Sequence, residues 1–192
     1  MRYAEATAVI GLDGPDPGLR AAWRDRHIAS ITAMAAAGVL LLGLPLHTAE
    51  GRSLGSLMVV AGHDPSGYLA AEPFAVAGVW RKTACRPLRI PGLPWRPWPP
   101  ADAPLPPARG HSVILLAGEA DPGRLGDDVA SGTVVFAAAT GDAAGAILVT
   151  AHRDDDAARR WIAADPLLRA CRAEIHATTF RPLPYRSLSD AG

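Results

Sequence analysis

The same succession of strand, turn and helix signals occurs twice in this chain, and a chain that repeats itself must fold as two like units. Residues 6–19 (ATAVIGLDGPDPGL) read as an apolar strand closed by Asp16-Pro17-Gly18, and residues 112–125 (SVILLAGEADPGRL) do the same with Asp121-Pro122-Gly123. A helix should follow each turn and end on a left-handed glycine, Gly38 in one half and Gly132 in the other. Strands are expected at 39–46 and 133–140 and again at 54–64 and 144–154, with hairpin material between them. A second helix then leads into Glu72-Pro73-Phe74 or Asp165-Pro166-Leu167, and each half should close on a strand ending Arg-Pro-Leu, at 86–88 and 181–183.

Each half therefore reads β-α-β-β-α-β, the ferredoxin-like arrangement with both helices on one face of a four-stranded antiparallel sheet. Its other face is left apolar and needs cover, which a tandem copy supplies. The expected fold class is α+β, two such units forming an intrachain pseudo-dimer of the dimeric α/β-barrel type. The expected boundaries are 1–90, a linker over 91–110, and 111–186. The linker holds eight prolines and should run extended, with Trp95 and Trp98 pinning it to the surface.

Nineteen basic and nineteen acidic side chains cancel, which argues against nucleic-acid or anionic-membrane partners. The longest apolar run, 33–46, has fourteen residues broken by Gly38, Gly43 and Pro45, too short for a membrane span. Cys85 and Cys171 are isolated, without ligand or redox spacing, and no secretory signal is present, so a cytoplasmic protein is expected.

Helix one of the first half carries Arg20, Trp23, Arg24, His27, Ile31 and Met34 on one side, with His27 expected at the edge of the apolar stripe. An imidazole there, one turn or so after an arginine, can act as a base toward a small ligand. The first half resembles the YCII-related family in the order Arg20, His27, Gly38, Gly43, Pro45, Leu46, Gly55, Ser56, Pro73 and Phe74; the resemblance covers about 6–90 and, more weakly, 111–185. It implies a dyad of the helix-one histidine and the acid before proline. Here the acid is Glu72, one methylene longer than the family's aspartate.

The second half keeps the acid, Asp165, but twenty positions separate Gly18 from Gly38 and only nine separate Gly123 from Gly132. About three helical turns are missing where the histidine would lie. The expected activity is a cofactor-independent lyase or isomerase acting on a small oxygenated ring or acid. His27 is the acid/base, Glu72 its orienter, and Arg20, Arg24 and Ser56 the candidate binders. The expected partner is that small-molecule substrate, with no cofactor and no metal; further pairing of the pseudo-dimer is left open. One alternative is a non-catalytic ligand-binding or partner protein of the same fold. The other is a cofactor-free oxygenase of the dimeric α/β-barrel type, with Trp23, Trp80 and Met34 as possible chamber walls.

Two patterns are decoys. Gly51-Arg52-Ser53-Leu54-Gly55 fits a nucleophile-elbow expression but falls in a hairpin before a strand. His63 and His152 lie at matching strand ends but lack a third ligand. Asp154 reads as a helix N-cap.

Overall fold

A computed structural model describes residues 3–105, 109–141 and 144–190. Part of the expected linker, residues 106–108, lies outside the described residues. The first half comprises β1 (Tyr3–Asp13), α1 (Pro17–Ala37), β2 (Leu40–His47), β3 (Ser53–Ala61), α2 (Ser66–Ala71), α3 (Pro73–Val76) and β4 (Trp80–Pro91). The second comprises β5 (His111–Ala117), a 3-10 turn and α4 (Gly126–Ser131), β6 (Val134–Thr140), β7 (Gly145–Thr150), α5 (Asp155–Ala164) and β8 (Arg172–Thr178).

The repeat signals hold at atomic detail. Asp16 and Asp121 each accept a hydrogen bond from the backbone N–H two residues on, Gly18 at 2.8 Å and Gly123 at 3.0 Å, so both Asp-Pro-Gly sequences are the same helix-entry device. At the far ends Gly38 and Gly132 take left-handed conformations, φ 77° and 84°. Between those landmarks the two copies part: α1 has 21 residues and α4 has six.

All eight strands pair antiparallel in one closed barrel, ordered β1-β3-β2-β8-β5-β7-β6-β4. Within it each half keeps the ferredoxin-like order, β4-β1-β3-β2 and β8-β5-β7-β6. The halves meet at two short seams, where His47 pairs with Ala177, and Leu88 and Arg89 pair with Thr140 and Ala139. The second copy thus covers the bare sheet face and also takes up both free edges of the first sheet, which in an isolated unit would invite aggregation.

Strands enclosed on both faces explain the near-continuous apolar runs in the sequence. Ala6, Ala8 and Ile10 of β1 and Leu57 and Val59 of β3 join the larger core that spans both halves. Val9, Met58 and Val60, one position out of phase, join a separate core with Ile31 and Ala35 of α1, Tyr68, Phe74 and Trp80.

Three expectations need correction. Arg86-Pro87-Leu88 lies inside β4, which continues to Pro91, because β1 pairs with it as far as Tyr3 opposite Pro91, and β6 adds the seam at Leu88 and Arg89. Arg181-Pro182-Leu183 lies beyond the end of β8 at Thr178. From there the chain leaves the barrel and packs on the first half, where Leu183 joins the core of α1 and the Tyr185 hydroxyl bonds the backbone of Gly43. Thirdly, His27 is itself one of the buried residues of the α1 stripe, with Ile31 and Ala35, and does not merely lie beside it.

The linker tryptophans are packing residues. Trp95 is buried against Phe136 with its N–H donated to Pro91 O at 3.1 Å, and Trp98 stacks on Phe180 and donates to Arg186 O. No helix among the described residues is long and apolar enough to cross a membrane.

Candidate active site

His27 is delivered by the third turn of α1, its acid by the junction of α2 and α3. Glu72 ends α2 and caps α3: extended backbone lets its Oε1 accept the Phe74 N–H at 2.9 Å. Pro73 at the first helical position favours that geometry, so the acid-proline signal in the sequence is a cap. The same Oε1 lies 2.7 Å from His27 Nδ1, and Oε2 accepts the Tyr68 hydroxyl at 3.0 Å. Three donors converge on a side chain that is 0% exposed, which fixes it far more firmly than a surface carboxylate could be. Burial and the neighbouring carboxylate hold the Tyr68 phenol well above its ordinary range, so it remains a donor.

The extra methylene of glutamate therefore still brings its carboxylate within reach of the imidazole. With Nδ1 donating to Glu72, Nε2 is the nitrogen left to act, and it has no hydrogen-bond partner among the described residues. The ring is held on its face by Phe74, stacked at 3.9 Å and 9°, and approached edge-on by Trp80 at 6.3 Å.

His27 borders a cavity of about 290 Å³, large enough for a single-ring ligand. Arg20, Arg24 and Ser56 border it too, so the structure gathers every first-half candidate of the sequence into one place. Arg20 is already engaged: it bonds Asp13 at 2.7 Å and Ser56 Oγ at 3.1 Å and lies 4.7 Å over the Phe74 ring. Ser53, the decoy nucleophile, donates to the other oxygen of Asp13. Arg24 has no hydrogen bond or ion pair among the described residues.

Asp165 is in the other half and does a cap's work, accepting Leu167 N and Leu168 N at 2.8 and 3.0 Å. It repeats the backbone role of Glu72 without an imidazole partner. Trp23, Trp80 and Met34 belong to the core beneath, not to the cavity's border. His63 faces Glu5 and His152 leans on Trp161 and Thr150; among the described residues no three ligating side chains cluster.

Sequence reasoning missed His47, Thr179 and Arg181, which also border the cavity. His47 ends β2, and burial, then the Arg20 charge, pushes its imidazole below the ordinary 6.5. Its position two residues after Pro45, also on the border, was a readable signal. Thr179 and Arg181 follow β8 and arrive only because the two halves join there, which no local pattern announces.

No protein-family model matches the chain, and no curated protein matches it. Among solved structures, a "putative monooxygenase" of Lactobacillus acidophilus NCFM superposes with a TM-score of 0.52 at 12% identity, over 96% of this chain and 99% of that one. The fold is that of the dimeric α/β barrels, closed within one chain. A second protein so described, from Fusobacterium nucleatum subsp. nucleatum ATCC 25586, gives 0.47 at 8% identity over 94% of each chain. An anthrone oxidase-like protein gives 0.42 at 13% identity over 97% of this chain and 94% of its own.

Proposed function

We propose that the chain is an enzyme whose first step is removal of a proton from a small oxygenated ring or acid by His27 Nε2, with Glu72 orienting and stabilising the imidazole. The observation that carries this is the buried Nδ1 contact to Glu72, 2.7 Å, on a ring whose other nitrogen is free at a cavity. A fully bonded carboxylate behind Nδ1 fixes the ring's tautomer and orientation and raises its basicity, which is what a histidine acting as a base requires. The resemblance of residues 6–90 to the YCII-related family supports the same dyad, and the proposal keeps the division into a site-bearing unit at 1–90, a linker at 91–110 and a second unit at 111–186.

The enolate or phenolate formed has two fates. The one we favour is reaction with dioxygen, turning a CH2 group into a carbonyl with release of water, a step such activated carbons undergo without a cofactor. The fold shared with a protein described as a "putative monooxygenase" supports this fate. The second fate is elimination or isomerisation, and the Arg20–Ser56 pair beside the dyad favours it, because a charged donor next to the developing oxyanion stabilises it long enough to be reprotonated.

Both share proton abstraction, so the test is exchange. Small hydroquinones and β-keto acids incubated with the protein in D2O should incorporate deuterium at the acidic carbon, read by NMR, and His27→Gln should lower the rate by about 100-fold or more. Undiminished exchange in the folded variant would remove His27 as the base. Oxygen uptake accompanying turnover selects the oxygenase fate, and turnover under nitrogen selects the other.

A further inference from the structure

The cavity's charge is one-sided. Arg20, Arg24 and Arg181 border it and no aspartate or glutamate does. Arg20 is compensated by Asp13 at 2.7 Å. Arg24 and Arg181 make no ion pair or hydrogen bond among the described residues. Two guanidinium groups at one concavity, without an acidic partner among the described residues, leave positive charge there that would attract an anion. Its remaining border is largely apolar, with Ile28, Ile31, Leu44 and Met58, and suits a carbon skeleton.

We propose that the substrate is a small carboxylate whose anionic group is held by Arg24 and Arg181, one from each half of the chain. This deepens the function proposed above and rests on that reading for the step that follows binding. Arg24 is on α1, three residues before the base, and Arg181 is on the segment that leaves β8 and packs on the first half. Planar guanidinium forks match a carboxylate, and a carboxylate bound there presents the adjoining carbon skeleton to the His27 side of the same cavity. The second half, without a dyad of its own, thus contributes a substrate-binding residue, and the site is composite.

The test is binding, measured by calorimetry on the full chain with benzoate, 2-hydroxybenzoate, benzamide and inorganic phosphate. Benzoate should bind at one equivalent and benzamide at least about tenfold more weakly. Arg181→Gln and Arg24→Gln should each weaken benzoate by roughly tenfold, and Arg181→Lys by less, while leaving circular dichroism unchanged. His27→Gln should keep the affinity within about threefold. Carboxylate binding that survives in a protein without exchange activity would keep this proposal and sink the proton-abstraction reading. Equal binding of benzoate and benzamide, no binding of either, full affinity in folded Arg181→Gln, or phosphate binding more tightly than the carboxylates would each overturn it.

Discussion

Glu72 carries more hydrogen bonds than any other buried side chain of the site, and its replacement is correspondingly informative. Glu72→Gln offers one acceptor oxygen to three donors and turns an amide toward one of them, so it should cost roughly 1–3 kcal/mol in urea denaturation. Tyr68→Phe removes a single donor and should cost about 1 kcal/mol. A larger loss for the tyrosine than for the glutamate would mean that the carboxylate is not the hub. Acid should weaken the fold through three histidines. Burial lowers the His47, His111 and His152 imidazoles, so the unfolded chain binds protons first as pH falls. Their contribution is full above the unfolded value of 6.5 and is lost as pH falls below it toward the folded values. Urea midpoints should therefore drop between pH 7 and 5, and His47→Gln should flatten part of that slope. The dyad was legible through the resemblance to the YCII-related family, which pairs a helix-one histidine with the acid before a proline; helix spacing alone did not join His27 to Glu72. Tyr68, one helical turn before Glu72, was legible by the same spacing and was overlooked, whereas Arg181 depends on a seam joining residues more than a hundred positions apart.

At the level of elements the strands were easier to place than their ends. Apolar runs and turn signals located six of them, whereas the last strand of each half was placed from an Arg-Pro-Leu landmark that falls inside β4 and beyond β8, because the extents of those strands depend on which neighbours each finds in the barrel. Two glycines set bounds on what the elements tolerate. At Gly38 an added Cβ would meet the Arg186 side chain at 2.7 Å, and the backbone is left-handed at φ 77°. A long side chain can swing away, so Gly38→Ala should cost about 1 kcal/mol, mostly backbone strain. At Gly55, φ 150°, the Cβ would run into the Gly11 carbonyl oxygen in the neighbouring strand. Backbone cannot step aside without breaking the β1–β3 pairing next to Ser56, so Gly55→Ala should cost roughly 2–4 kcal/mol. Thermal unfolding of the two variants should reproduce that ranking; equal small losses would show that β1 and β3 are free to separate there.

On the scale of the whole molecule, barrel closure makes the halves interdependent. Residues 1–91 alone would expose the edges of β2 and β4 that β8 and β6 now occupy. That fragment should aggregate or pair with itself in size-exclusion chromatography with light scattering; a stable monomer would mean that the seams contribute little. The covalent join has a kinetic corollary as well. Two-chain barrels fall apart when diluted, and a site built across their seam disappears with them. Here the 21-residue helix carrying His27 and the segment bearing Arg181 are tethered by the chain itself, so each finds the other at an effective concentration that the solution does not set. Turnover per molecule should accordingly stay constant down to the lowest enzyme level an assay can read.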